Sequence, residues 1–378
     1  MARHCTVLLA AAVAVLLVLG LVMLATISPW VTDEKDLALR QAVMAVCGVV
    51  AGLVAARFPQ DPLRRLAPFA YAIACVLLIL CFVPGVAAPL YGSNRWIQLP
   101  LIGNFQPSEL AKLVVVLCLA TWYARWQPGV GSFWRGFVVP GMIAAIPLGL
   151  IAIETDVGSA LALAATVGAM MFCIGVRLRF MLPVAASAML GAAWFVGNDP
   201  VRWKRIEAWT DLETHKLGTG MQQWRSLVAF GNGGPTGTGL GNGSEKFANL
   251  EHCESDFIFP IIGEELGLPG TLTVVLAFVL IAMAGYGIAM QARDIFSRCL
   301  AVGITSMIVV PAIVNIAVTT AAIPNDGLPL PFVSYGGTSL VISLAGIGML
   351  AGIHRRARSA VGLPVMPLKA EKRYAVRL

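Results

Sequence analysis

The chain has 378 residues, of which 58% are hydrophobic and 12% charged, with a formal net charge of +7. A soluble domain carries roughly 25% charged residues, so a single water-soluble core is excluded and lipid is the natural solvent for most of the sequence. The positive charge is spread through short loops and a tail, with no clustered basic face or aromatic stacking motif, which argues against nucleic acid as a partner.

In chain order, the first apolar run, 5–28, follows Arg3 and His4 as a signal peptide would. It exceeds the 7–15 residues of a signal-peptide core, roughly, and reads as a retained first span. Further apolar runs fall near 37–57, 67–83, 107–126, 137–154, 157–176, 181–197, 266–290, 298–322 and 338–354. The expected fold class is therefore an all-α polytopic membrane protein with about ten transmembrane helices.

An even count puts both termini on one side. A cytoplasmic N-terminus makes cytoplasmic the loops carrying Arg57, Arg64 and Arg65, Arg125 and Arg135, Arg177 and Arg179, and Arg293 and Arg298. The tail with Arg355, Arg356, Arg358, Lys369, Lys372, Arg373 and Arg377 joins them. The short outer loops are poor in basic residues, as the positive-inside rule requires. The expected organisation is an integral membrane domain over 1–355 and a basic cytoplasmic tail over 356–378. A large extracytoplasmic loop, about 198–265, lies between helices 7 and 8, and smaller outer segments fall at 84–106 and 323–337. Loops of this length are uncommon unless functional, so the chemistry is expected on the outer face. Seven of the eight cysteines lie in or beside apolar runs and only Cys253 in a long polar loop, which leaves no disulfide framework and no C-x-x-C metal knuckle.

Five segments interrupt this pattern. In Asn104-Phe-Gln-Pro-Ser-Glu-Leu-Ala-Lys112, Pro107 suits a first helical position with Gln106 as N-cap. Glu109 either completes that cap or faces a cavity, and Lys112, three residues on, is either a snorkelling or a functional intramembrane cation. In Ile153-Glu-Thr-Asp-Val-Gly-Ser-Ala160, Asp156 is an N-cap or an acid held at the membrane surface. The glycine-rich 231–243 has no strict G-x-G-x-x-G and no following Gly-Lys-Ser/Thr, so a nucleotide loop is rejected in favour of a flexible or tightly turning lid. Asp256 borders an apolar stretch that Pro260 and Gly263 are expected to interrupt, with Glu264 and Glu265 behind it. A carboxylate at such a lip is a solvated acid or, with a raised pKa, a general base. The Pro- and Gly-rich 324–340 reads as a structured plug or cavity wall.

Taken together, Arg95-Trp-Ile97 with Gln106-Pro-Ser-Glu-Leu-Ala-Lys112, Asp156-Val-Gly-Ser-Ala160, Glu254-Ser-Asp-Phe-Ile-Phe259 with Gly263-Glu-Glu-Leu-Gly267, and Gly327-Leu-Pro-Leu-Pro-Phe-Val-Ser-Tyr-Gly-Gly337 form an ordered set. That set, over roughly 5–355, resembles the SEDS peptidoglycan glycosyltransferases of the FtsW/RodA type. Glu254-Ser-Asp256 and Asn315-Ile-Ala-Val318 look closer to the FtsW branch.

The resemblance implies a lipid II polymerase of the cytoplasmic (inner) membrane, with its site facing the periplasm or exterior, for cell division or cell-shape growth. By matching, Asp256 corresponds to the family's essential acid, taking the proton of the attacking hydroxyl. Glu109, Lys112 and Asp156 fall on the polar cavity, Trp96 on its outer wall, and Arg205 and Gln222 on family positions of the large loop. Lys112 and Arg205 are candidates to meet the leaving pyrophosphate. No resident cofactor is implied with certainty, the need for a divalent cation (Mg or Mn) is open, and no metal ligands are assigned. The implied partners are lipid II, a class B penicillin-binding transpeptidase, other division or elongation proteins and membrane lipid. Two other readings stay open: a lipid II flippase or lipid-linked carrier, and a non-catalytic division scaffold.

Overall fold

In lipid a backbone has no water to bond to, so long apolar segments satisfy their own N–H and C=O groups as helices. The computed structural model describes residues 4–30, 37–83, 87–90, 93–99, 103–154, 156–247 and 250–359. It opens with α1 (Cys5–Ile27), α2 (Leu37–Arg57) and α3 (Gln60–Leu80), followed by strands β1 (Ala87–Leu90), β2 (Ser93–Leu99) and β3 (Gly103–Phe105). The chain continues through α4 (Pro107–Arg125), α5 (Val139–Ile153), α6 (Val157–Ile174) and α7 (Leu178–Gly197). Next come α8 (Pro200–Thr210), α9 (Met221–Gly233), α10 (Ile258–Gln291), α11 (Ile295–Thr319) and α12 (Gly337–Ser359). Among the described residues nine helices are long and apolar enough to cross a membrane. The span expected over 181–197 is α7, whose apolar stretch Leu178–Trp194 is shorter. Most of the expected tail, 360–378, lies outside the described residues.

Local chemistry sets the helix starts. Pro107 opens α4 after the extended Gln106, and the carboxylates of Asp156, Asp199 and Asp294 accept from backbone N–H groups at the starts of α6, α8 and α11. The buried windows of α4 and α11 are each 72% enclosed, against 17% for α3, so these two helices form the centre of the bundle. The helices α2 and α12 meet along a seam of small residues. The space a Cβ would need at Gly52 is taken by Leu344 O at 2.8 Å, and at Gly352 by Ala56 O at 2.6 Å. Such close backbone approach is how helices pack where lipid removes the hydrophobic drive.

The described structure departs from the sequence reading in three places. Within 84–106 the described residues form a small antiparallel sheet in the order β1-β2-β3, pairing Ala88 with Trp96 and Ile97 with Phe105. Helix α10 begins at Ile258 rather than near 266, and Pro260 lies in its first turn, where an amide has no helical acceptor in any case. The break comes at Gly267 instead, with φ 65° and ψ −155°, and backbone atoms of Thr236 and Gly237 occupy the space of a side chain there.

The third departure is the glycine-rich segment, which is a clasp around that break and not a lid. The N–H groups of Thr238 and Gly239 donate to the carbonyls of Glu264 (2.9 Å) and Glu265 (3.0 Å). The Glu264 carboxylate accepts from Ser244 N (2.9 Å), Ser244 Oγ (2.8 Å) and Glu245 N (3.1 Å). Glu265 accepts from Gly241 N (2.8 Å) and pairs with Lys246 Nζ at 2.6 Å. Both glutamates are fully buried, and their charges are tolerable because every oxygen has a donor.

The ends of the bundle differ. Thr6, Ala56, His354, Arg355 and Arg358 gather at one, and Arg64 pairs with Asp294 at 2.6 Å where α3 and α11 begin. At the other end lie the N-termini of α2, α4, α6, α10 and α12 with the irregular segments before them.

Candidate active site

Asp256 lies in the turn segment just before α10 and is half-buried. That segment belongs to no helix or strand, so its backbone is held from outside. The Glu254 carbonyl accepts from Tyr335 N (2.8 Å), the Ser255 carbonyl from Ser334 Oγ (2.5 Å) and the Asp256 carbonyl from Asn315 Nδ2 (2.7 Å). Burial pushes the Asp256 carboxyl up to about 6, the charges of His252 and Arg95 pull it down, and Glu254 and Asp156 push it up. Its Oδ2 sits 3.1 Å from where a Cβ of Gly327 would lie, so the wall opposite must be glycine, which the φ of 64° there also favours.

Asp156 caps α6 through Ser159 N (3.2 Å), and its other oxygen accepts from Gln106 Nε2 (3.2 Å). Arg95 of β2 approaches it at 3.6 Å. The N-cap and surface-acid readings of Asp156 are thus compatible, because the carboxylate that caps α6 also meets Gln106 and Arg95. Glu154, also buried, is raised to about 8, first by burial and then by Asp156, with Cys81 and Arg95 pulling it down.

Asp326, in the segment between α11 and α12, was not singled out by the sequence reading. Burial raises its carboxyl to about 6, the charge of Asp156 adds to that, Arg205 and Arg202 oppose it, and Asp256 raises it further. Three carboxylates and three arginines therefore share one electrostatic environment. Arg202 and Arg205 are carried there on α8. Trp209 Nε1 of that helix donates to Ala321 O (2.8 Å), and Ser226 Oγ of α9 donates to Thr319 O (2.5 Å). Gln222, also on α9, accepts from Asn325 Nδ2 at 2.6 Å. A usable sequence signal for Asp326 was an acid inside an otherwise Pro- and Gly-rich apolar wall.

His252, likewise not singled out, is raised by its hydrogen bond to Glu254, against desolvation, with Asp256 adding to the rise. It has φ 58°, a left-handed conformation that costs a non-glycine residue energy and often marks functional turns.

Glu109 and Lys112 form a closed pair, with Nζ 2.7 Å from Oε1 and both side chains buried. Trp96 on β2 is half-buried, and its indole N–H makes no hydrogen bond within the described structure. Among the described residues no group of three or more His, Cys, Asp or Glu side chains is arranged to hold a metal ion.

A raised carboxyl beside guanidinium groups can accept a proton while anionic oxygens are held nearby. Similar proteins carry names that fit this chemistry. The chain is 38% identical over 329 residues to the probable peptidoglycan glycosyltransferase FtsW of Trichlorobacter lovleyi, covering 87% of this chain and 84% of that one. It is 35% identical to the stage V sporulation protein E of Bacillus subtilis, over 91% of this chain and 95% of the relative. Among solved structures, a chain described under structural coordination of polymerization and crosslinking by a peptidoglycan synthase complex superposes with a TM-score of 0.77. It is 26% identical and covers 92% of this chain and 97% of that one. The rod shape determining protein RodA of Thermus thermophilus shares the fold, with a TM-score of 0.66 at 24% identity, covering 92% of this chain and 96% of that one. The family model for FtsW/RodA/SpoVE cell cycle proteins matches residues 6–359, and the chain belongs to that family.

Proposed function

We propose that this protein is a peptidoglycan glycosyltransferase that polymerises lipid II into glycan strands at the outer face of the cytoplasmic membrane, with Asp256 as general base. The GlcNAc 4-hydroxyl of one lipid II attacks the MurNAc anomeric carbon of another. Asp256 takes the hydroxyl proton as the new C–O bond forms, and undecaprenyl pyrophosphate leaves with the electron pair of the broken bond. The observation that carries this reading is the half-buried Asp256, with a proton affinity close to neutrality, in the field of Arg95. A base with a pKa near the working pH is the efficient one.

Arg205 and Arg202 are the groups assigned to the pyrophosphate. Lys112, engaged with Glu109, serves instead to keep the cavity floor neutral, while Asp156, Trp96 and Gln222 line the substrate side. Both termini face the cytoplasm in this reading, as the arginine distribution requires. A class B penicillin-binding transpeptidase crosslinks the product, in a division complex or its elongation counterpart.

The buried ion pair in α4 also suits a lipid-linked carrier. Glycan formation from labelled lipid II by wild type and Asp256→Asn, with and without the transpeptidase and a chelator, separates the readings. An Asp256→Asn protein that still polymerises removes the enzyme reading, and loss of wild-type activity in the chelator arm identifies a divalent cation as part of the reaction.

A further inference from the structure

We infer that Asn315 and Ser334, with Gln41 behind Ser334, are positioning residues that aim the Asp256 carboxylate by clamping the backbone carbonyls on which it rides. This inference rests on the assignment of Asp256 as the base.

Residues 254–256 have no ladder of their own, yet three successive carbonyls each accept one hydrogen bond from the segments that wall the site. Asn315 is 2% exposed and uses both amide hydrogens. Nδ2 donates to Asp256 O at 2.7 Å and to Leu328 O at 2.6 Å. The amide can only stand this way round, because a flipped Asn315 would aim its oxygen at two other carbonyl oxygens. One side chain thereby joins the chain at Asp256 to the chain beside Gly327, whose missing Cβ leaves room for the Asp256 carboxylate.

Ser334 acts on the preceding residue. Its hydroxyl donates to Ser255 O and accepts from Leu330 N at 2.8 Å. Its carbonyl accepts from Gln41 Nε2 at 3.0 Å, while Gln41 Oε1 accepts from Gly336 N at 3.2 Å. Gln41 is 3% exposed on α2, so a buried amide from a separate helix fixes the turn that holds Ser334. A base must be held to within roughly half an ångström of its productive place, and a displacement of about 1 Å costs on the order of a hundredfold in rate.

The test uses full-length protein in vesicles polymerising labelled lipid II, with kcat, KM and the thermal midpoint measured for each variant. Asn315→Asp keeps the shape and turns a double donor into an acceptor. It and Ser334→Ala are both expected to lower kcat about tenfold or more with KM near wild type, Ser334→Ala at a near-wild-type midpoint and Asn315→Asp at a lowered one, because it buries an unpaired carboxylate against two carbonyls. Ser334→Thr keeps the hydroxyl and is expected to restore the rate. Thr305→Val, equally buried but remote, is expected to lower the midpoint without moving kcat. Wild-type kcat in Asn315→Asp and Ser334→Ala, beside an inactive Asp256→Asn, would overturn the clamp and leave the base intact. A Ser334→Thr protein as slow as Ser334→Ala, or a Thr305→Val protein that loses rate along with its midpoint, would also overturn it. Polymerisation by Asp256→Asn overturns the base assignment separately.

Discussion

Lys112 Nζ lies 2.7 Å from Glu109 Oε1, one turn along α4, and both side chains are closed off from the surroundings. Removing one partner strands a buried charge, which costs about 3–5 kcal/mol, whereas replacing both by neutral groups is often harmless. Lys112→Met is therefore expected to lower the thermal midpoint sharply and Glu109→Gln/Lys112→Met to recover most of it. Thermal unfolding in detergent of the two single variants and the double variant checks this.

The raised Asp256 carboxyl predicts an acid limb in the rate. The base must be ionised, so polymerisation is expected to fall as pH drops through about 6, read from initial rates between pH 5 and 8.

The same shift fixes the sign of a stability effect. A carboxyl whose folded pKa, about 6, exceeds its unfolded value of about 3.9 binds its proton more tightly when folded. Its charge opposes folding above that range and ceases to do so as pH falls. Asp256→Asn is expected to have a higher thermal midpoint than wild type at pH 7.5, to keep about half of that advantage at pH 5 and to lose the rest only below about pH 4, while forming no glycan at any of these.

Arg205 stands with Arg202 in the field of Asp326. A charge-assisted contact to pyrophosphate contributes about 1.5–3 kcal/mol, so Arg205→Ala is expected to lower kcat/KM roughly 10- to 100-fold. Steady-state kinetics on lipid II checks it, with Leu217→Ala, at an 87% exposed loop position, as the silent control.

At the break in α10, Gly267 and Gly237 face each other with positive φ and no room for a side chain. Gly267→Ala is expected to destabilise by about 1–3 kcal/mol from backbone strain alone, with the clash adding to it. Chemical denaturation against Gly149→Ala, where a Cβ meets nothing within 4 Å, isolates the effect.

Hydropathy and arginine placement were enough to find the spans, because lipid imposes one solution on a long apolar segment. Pro107 and Asp156 were legible as helix starts for equally local reasons. Asp326 was legible only as an acid in a Pro- and Gly-rich apolar wall, because its place in the site comes from Arg202, Arg205 and Asp256, which are distant in sequence. Nor could Gln41, an ordinary polar residue at the start of a span, announce its bond to Ser334 O nearly three hundred positions away. The three strands were missed because they are short and sit in a segment, 84–106, with three prolines. The error at Gly267 was one of register: the sequence carries four helix-breaking residues between 260 and 269, and only tertiary contact with Thr236 and Gly237 selects which of them bends.

Glycine abundance between 231 and 243 invites an expectation of suppleness, yet here it allows immobility: the backbone lies against Glu264 and Glu265 because no side chains hold it away. The clasp should resist proteases and reject insertions, unlike most surface loops. Cleavage and tag insertion belong instead near Leu217, where the chain stands out from the rest. For anyone engineering the protein, the densest run of glycine is the part of the long 198–265 segment to leave alone.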